Sequence, residues 1–490
     1  MRSIVSNLFI NKARAGNVYF TLLSVACLLA CLAGLIWNEF ILFALPAVCL
    51  IVFLGIVDFK KLFFLLFFII PFTTEVSLPG GIQLDIPGEP LTISLMLVYG
   101  LYLLRNGTQI SKDFFVHPIS KVMLVHILWI AVSCVISADL MISLKFFLAK
   151  IWYVVTFYLL AGHVLKDERS IKIFFWGILI SILITIVVIT IRHAAVGFSF
   201  DKINKVVGPF YRNKVAYASI LSVFLPMVVF MRAQYKAWSW KRIMCSLAIL
   251  AFLMGIYLTY TRAAYLCVAI AFGAYFIIRY QMTKVTLSLS GMVALLAIVV
   301  LAGGNTYLDF APEYKKTVAH KDFDSLISAT AKGQDVSTME RVYRWVAAFQ
   351  MIGEKPVMGF GPGTFYSEYK NHTVSSFSTY VSDNPEKSGV HCYYLMTTVE
   401  QGIIGLIIFL ALCFYAMLKG EDIYHRSNLN PFDKKMVMAA TLGFICIAAI
   451  NIVNDMVETD KVGSFFFVYL ALIVNYDLKT KKLTSQGKQD

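Results

Sequence analysis

Long apolar runs recur along almost the whole of this 490-residue sequence, and they set the strongest limit on its fold. The chain is 59% hydrophobic and only 15% charged, whereas a soluble domain is roughly half apolar and about a quarter charged. A helix of about 20 apolar residues is long enough to cross a bilayer. A membrane β-barrel would instead alternate in segments of about 10 residues. The sequence therefore predicts an all-α polytopic membrane protein.

The apolar runs predict about 12–14 transmembrane helices. We expect the first run to remain as an uncleaved helix, because it continues past a Leu28–Cys31 segment that resembles a lipoprotein cleavage box. The predicted spans are 17–37, 40–57, 61–74, 91–104, 122–138, 142–164, 171–191, 215–231, 243–260, 262–279, 285–303, 392–418, 436–453 and 462–476.

The net charge of +14 is distributed as expected for a membrane protein. Most basic residues lie in alternate short loops, which is the pattern of cytoplasmic loops in bacterial membrane proteins. This distribution places both termini in the cytoplasm and argues against a nucleic-acid partner. The predicted organisation is N-terminal helices at 1–191, central helices at 192–303, an outer loop domain at 304–391, and C-terminal helices with a basic tail at 392–490.

Two outer segments depart from this charge pattern. Segment 192–214 holds five basic residues and one acid, Asp201, which indicates either an anionic ligand on the outer face or a plain solvated loop. Segment 304–391 is the one long loop, and long loops cross a membrane largely regardless of their charge.

The long loop contains a predicted helix from Ser337 to Gly353. Ser337 and Glu340 have the spacing of a capping box at its start. Arg341 and Arg344 are three residues apart and share one face. The predicted apolar face consists of Val342, Trp345, Val346 and Phe349.

Three features follow this helix. Alternating glycines at 359, 361 and 363 predict a tight turn with exposed backbone N–H groups. His391 begins a helical pattern at the predicted boundary between water and lipid, and residues 400–402 interrupt that pattern. Glu400 is an unusual acid near membrane depth, where charges are costly.

Several other polar residues are weaker candidates for a site. Lys145 and Lys150 lie near the outer end of their span. Asp455, Glu458 and Asp460 form the last outer turn, which we expect to be solvated. No His, Cys or Asp spacing typical of a metal site occurs in the sequence, so we predict no metal.

The order of the loop motifs resembles the O-antigen ligase and polymerase superfamily over roughly residues 200–475. This chain has Cys392 where the family usually has Asn after the histidine. The segments that carry the resemblance are Arg341-x-x-x-Trp345, Pro356-x-x-Gly359-x-Gly361, His391-x-x-Tyr394-Leu395, Glu400-x-Gly402, Tyr260–Leu266 and Gly208–Pro226.

The resemblance implies a metal-independent glycosyltransferase of the GT-C type in the bacterial inner membrane, without a cofactor. Its donor would be a glycan on undecaprenyl diphosphate, presented at the periplasmic face. A ligase would transfer that glycan to lipid A–core, and a polymerase would transfer it to another lipid-linked repeat. A lipid-linked glycan transporter and a scaffold subunit are alternatives outside enzymology.

The chemistry of this reaction suggests roles for particular residues. A guanidinium group stays charged and can donate to two phosphate oxygens at once, so it suits a diphosphate leaving group. An imidazole suits the removal of a proton from an acceptor hydroxyl. We therefore expect Arg262 and His391 to be catalytic. The predicted substrate-binding residues are Arg341, Arg212, Arg344, Lys205, Lys214, Glu400 and Tyr394.

Overall fold

The computed structural model describes residues 45–78, 82–106, 111–302, 336–373, 388–426 and 428–486, together with six residues between 21 and 29. Most of the predicted span 17–37 lies outside these residues, as do parts of the predicted outer loop. The described part is almost entirely helical, which confirms the predicted all-α membrane class.

The chain falls into two compact units, residues 1–110 and residues 111–490. In the N-terminal unit, helix α1 (Leu45–Ile69) has a non-helical residue at Asp58, close to the predicted boundary between two spans. Strands β1 (Thr74–Leu78) and β2 (Ile82–Ile86) pair antiparallel, and helix α2 (Gly88–Asn106) follows.

The hairpin of β1 and β2 lies between the predicted spans 61–74 and 91–104, where the sequence analysis predicts no regular element. Polar and apolar residues alternate along β1, which is a strand signal. The segment is short, so its alternation is a weak signal beside the long apolar runs that predict helices.

The larger unit is a helical bundle of residues 111–490. Its helices are α3 (Lys112–Val116), α4 (Pro118–Val135), α5 (Leu140–Val164, with a π-helical stretch at Val154–Leu160), α6 (Glu168–Ala194), α7 (Ile203–Val207), α8 (Lys214–Arg232), α9 (Trp240–Leu258), α10 (Arg262–Arg279), α11 (Thr283–Ala302), α12 (Val336–Glu354), α13 (Phe365–Glu368), α14 (Tyr393–His425), α15 (Pro431–Ile450) and α16 (Asp460–Gln486).

Polar caps fix where several of these helices begin. The side chains of Asp167, Asn213 and Asn430 accept hydrogen bonds from backbone N–H groups two or three residues into α6, α8 and α15. Such caps satisfy donors that have no partner within the helix. The starts of these apolar helices are therefore encoded locally.

Eight helices of the described residues are long and apolar enough to cross a membrane, namely α4, α5, α6, α8, α9, α10, α14 and α16. Helix α15 packs against α8, α10, α14 and α16. The most buried of the eight spans is α16, which continues from the predicted end at 476 to Gln486.

The bundle has two ends. We call the end where α14 begins and α15 finishes the loop end, and we call the opposite end the far end. At the far end, the buried carboxylate of Asp477 on α16 pairs with His117 at 3.1 Å and with Arg426 at 2.8 Å. These partners compensate the charge of an acid within a packed helix.

Candidate active site

The candidate site begins with a break in helix α14 at Gly402, where φ is +69°. This confirms the interruption predicted at residues 400–402. The chain after α12 docks into the break with three backbone hydrogen bonds: Phe360 N to Val399 O, Gly361 N to Glu400 O, and Ile403 N to Pro356 O, each 2.9 Å. A loop more than 35 residues away in sequence thus satisfies polar groups that the broken helix leaves open.

The alternating glycines make this docking possible. Gly359 and Gly361 have φ values of +73° and +112°, which side chains rarely adopt. A Cβ atom on Gly359 would lie 2.5 Å from the carbonyl carbon of Glu400. The predicted exposure of backbone N–H groups is wrong here, because Gly359 N donates to Lys355 O and Gly361 N donates into the helix break.

Glu400 lies behind this docked loop. Its side chain is buried, and its Oε1 atom accepts a hydrogen bond of 3.3 Å from Phe365 N at the start of α13. The next residue, Gln401, contacts α4: its amide oxygen lies 3.2 Å from His126 Nε2, and its carbonyl accepts from Trp129 Nε1 at 2.9 Å. The Glu400 carboxylate therefore faces the docked loop.

Helix α12 carries two of the predicted arginines into the bundle. Arg341 Nε donates to Val453 O in the turn between α15 and α16, at 3.2 Å, and the side chain of Arg344 is only 4% exposed. The predicted apolar face of α12 is wrong in part, because Val342, Trp345 and Phe349 are only partly buried. The buried face instead contains Tyr343, Arg344, Val346, Ala347, Ala348 and Met351.

The reason for this rotation is the packing of α12 against α14. The buried face contains an arginine, so it is less apolar in sequence than the face next to it. The local pattern alone therefore favoured the face of Val342, Trp345 and Phe349. The packing brings Arg344 into the protein, where its charge acts on nearby groups with less screening than in water.

His391 lies immediately before α14 in an unusual backbone conformation. Its φ is +59°, and such residues cost about 1–3 kcal/mol unless the surroundings hold them. Two contacts hold it: its backbone N–H donates to Asp455 Oδ2 at 2.8 Å, and its ring Nε2 lies 3.0 Å from Ser388 Oγ. A Cβ atom on Gly389 would lie 2.5 Å from the same Asp455 oxygen, so the turn closes tightly around this carboxylate.

The electrostatics of this turn follow from burial and from the arginines. Burial, and to a smaller extent the charges of Arg344 and Arg341, together lower the pKa of His391 to about 3. Burial raises the pKa of Asp455 to about 7, and the neighbouring Glu458 also raises it. His391 is therefore neutral at physiological pH, with a ring nitrogen lone pair available to accept a proton.

The expectation of a solvated turn at 455–460 is wrong for Asp455 and Glu458. The Oδ1 atom of Asp455 is buried. Glu458 Oε1 accepts from the Tyr393 hydroxyl at 2.5 Å and from Lys150 Nζ at 2.6 Å, and Lys150 is only 5% exposed. The sequence analysis gave these residues little weight as site candidates because their partners lie on different helices.

Residues 246–410 match the family model for O-antigen ligase. The matched segment covers about a third of the chain and includes Arg262, the two α12 arginines, His391 and the break in α14. The match supports the resemblance to the O-antigen ligase and polymerase superfamily that the loop motifs indicate. No curated protein matches the chain significantly.

In the matched segment and the helices beside it, a second basic group also lies at the loop end. Arg262 begins α10, two residues after Tyr260, whose hydroxyl donates to Phe198 O at 3.0 Å. Lys214 Nζ lies 4.2 Å from the ring centroid of Phe200. Arg212 and Lys205 are exposed on the same segment.

Two remaining observations complete the site. Tyr394 is a predicted substrate-binding residue. Its hydroxyl donates to Ala448 O at 2.9 Å, and this hydrogen bond links α14 to α15. Within the described part of the chain, no three His, Cys, Asp or Glu side chains are grouped as metal ligands.

Proposed function

We propose that this protein is an O-antigen ligase-type glycosyltransferase that moves a glycan en bloc from undecaprenyl diphosphate to a sugar hydroxyl of lipid A–core. The observation that carries the proposal is the meeting of Arg341 and Arg344 on α12 with the neutral ring of His391 at one end of the bundle. The family match supports a ligase or polymerase type of function.

In the proposed reaction, the acceptor oxygen attacks the anomeric carbon of the first donor sugar. The bond from that carbon to the phosphate oxygen breaks, and the electron pair leaves with the diphosphate. The acceptor proton moves to His391. No metal or cofactor takes part in this scheme, in which Arg341, Arg344 and Arg262 stabilise the negative charge that develops on the diphosphate oxygens. A well-placed donor to such a charge is worth about 2.7–4 kcal/mol in known sites.

The low pKa of His391 makes it a weak base in the free protein. An anionic diphosphate beside Arg341 and Arg344 would offset their positive charges, and this would raise the pKa of His391. A general base works best when its pKa is near the operating pH. The donor would therefore strengthen the base at the moment when the base is needed.

The orientation in the membrane follows from charge. Basic residues are dense at the far end, including Arg169, Lys172, Arg242, Arg426 and Lys435. We place that end and both termini in the cytoplasm, and the loop end in the periplasm of a bacterial inner membrane. Under this orientation a GT-C-type site at the loop end would meet donors presented at the periplasmic face.

Ligase and polymerase differ only in the acceptor, so the acceptor decides between them. The test uses purified protein and an undecaprenyl-diphosphate-linked glycan, with lipid A–core added to half of the samples. Product only with lipid A–core supports the ligase. Longer lipid-linked chains without lipid A–core support a polymerase. Donor left unused in both halves contradicts both and favours a transporter.

The same assay tests the base. We expect His391→Ala to reduce transfer by at least about 100-fold, in the range for loss of a general base. His372→Ala is the matched control, because His372 lies in the same outer segment and pairs with the exposed Glu354 at 2.9 Å. Equal activity in His391→Ala and in the wild type would remove His391 from the mechanism.

A further inference from the structure

The far end of the bundle carries a groove that the proposed reaction does not use. It runs along α6 from Glu168 to Ile180, beside Lys241 at the start of α9, and has a volume of about 730 Å³. Its wall is formed by Ile173, Trp176, Gly177 and Ile180, which follow one another along α6. Its mouth is formed by charged residues at the starts of the two helices.

The wall has the properties of a surface that contacts acyl chains. Helix α6 is one of the candidate membrane spans, and Ile173 and Ile180 on it are 44% and 45% exposed. Gly177 has nothing within 4 Å of its Cβ position, so it leaves a shallow depression between them. Trp176 is held at the edge by a 3.0 Å hydrogen bond from Nε1 to the Tyr235 hydroxyl. Tryptophan commonly occupies this level of a membrane.

The mouth has excess positive charge. Arg169, Lys172 and Lys241 line it together with one acid, Glu168. Lys172 pairs with Glu168 along the helix. The side chains of Arg169 and Lys241 are exposed, so their charged ends can reach a headgroup at the membrane surface.

We propose that this groove binds one anionic phospholipid, with its phosphate at Arg169 and Lys241 and an acyl chain along Ile173, Gly177 and Ile180. Basic pockets between transmembrane helices are suited to anionic headgroups, and the apolar wall selects a lipid over a free anion. A zwitterionic lipid would fill the wall equally well but would leave the positive charge at the mouth without a counterion. The proposal depends only on α6 crossing a membrane and not on the proposed reaction.

The test measures retention of phosphatidylglycerol by the full-length protein in detergent, by native mass spectrometry and by thermal unfolding. We expect phosphatidylglycerol to bind and to raise the melting temperature, and we expect phosphatidylcholine and inorganic phosphate to do neither. The double variant Arg169→Gln/Lys241→Gln should bind about 30-fold more weakly. That factor corresponds to about 2 kcal/mol, or about 1 kcal/mol for each basic residue.

The matched control is Arg279→Gln/Lys284→Gln, which removes one exposed arginine and one exposed lysine at the far end but outside the groove. It should bind phosphatidylglycerol like the wild type. Three results would each overturn the proposal: equal weakening in both double variants, equal binding of phosphatidylcholine, or equal protection by phosphate alone. Equal weakening would indicate only a general charge effect, and protection by phosphate would indicate a soluble anion.

Discussion

Replacing Gly402 by alanine tests how the broken helix positions the candidate site. Gly402 has φ +69° and ψ −177°, a conformation that is essentially restricted to glycine. Its Cβ position overlaps the carbonyl oxygen of Val357 and lies 2.6 Å from Met358 N. Both obstacles are backbone atoms, so no side-chain rotation can relieve the overlap.

The structural change that costs the least free energy is for the docked loop after α12 to leave the helix break. This would remove the three backbone hydrogen bonds at Phe360, Gly361 and Ile403. At about 0.5–1.5 kcal/mol net for each bond, undocking costs roughly 1.5–4.5 kcal/mol. The same movement would shift the end of α12, which carries Arg341 and Arg344. A misplacement of about 1 Å in a catalytic group can cost about 100-fold in rate.

We therefore expect Gly402→Ala to lower kcat/KM for glycan transfer by about 100-fold. Limited proteolysis should show faster cleavage in residues 355–363, and the melting temperature should fall. The matched control is Gly353→Ala near the end of α12, where nothing lies within 4 Å of the Cβ position. A Gly402→Ala protein with wild-type activity and wild-type resistance to protease would refute the proposed docking role.

Three further predictions concern the buried charges near His391. If the donor strengthens the base, the acidic limb of the pH profile should lie at higher pH for kcat than for kcat/KM; coincident limbs would contradict this coupling. The pKa of Asp455 rises from 3.8 unfolded to about 7 folded, so its carboxyl group stabilises the fold less as pH rises through this interval. The melting temperature of Asp455→Asn relative to wild type should therefore increase between about pH 4 and pH 7 and level off above it, and a flat difference would exclude the shift. Lys150→Met removes the 2.6 Å partner of Glu458, which keeps its hydrogen bond from Tyr393, and should destabilise the protein by about 1.5–3 kcal/mol in urea unfolding, whereas Lys145→Met at an exposed lysine should have little effect.

The sequence by itself determined the membrane class and most helix boundaries. The predicted span 262–279 coincides with α10 (Arg262–Arg279), and the span 171–191 lies within α6 (Glu168–Ala194). This agreement has a local cause. Helices in a membrane satisfy their backbone hydrogen bonds internally, so apolar length and nearby capping residues are sufficient to define them. The motifs around Arg341, His391 and Gly402 also indicated a family resemblance, which the match at residues 246–410 supports.

The tertiary structure decided how those motifs act together. The glycines at 359 and 361 fit a helix break about 40 residues later, and the buried Asp455 holds a turn 64 residues before it. A short stretch of sequence does not identify such partners, because the contacts depend on how separate helices pack. The same packing turned Arg344 inward and placed Glu400 behind the loop. Hydropathy and capping therefore specify the helices, whereas long-range backbone contacts and buried charges specify the site.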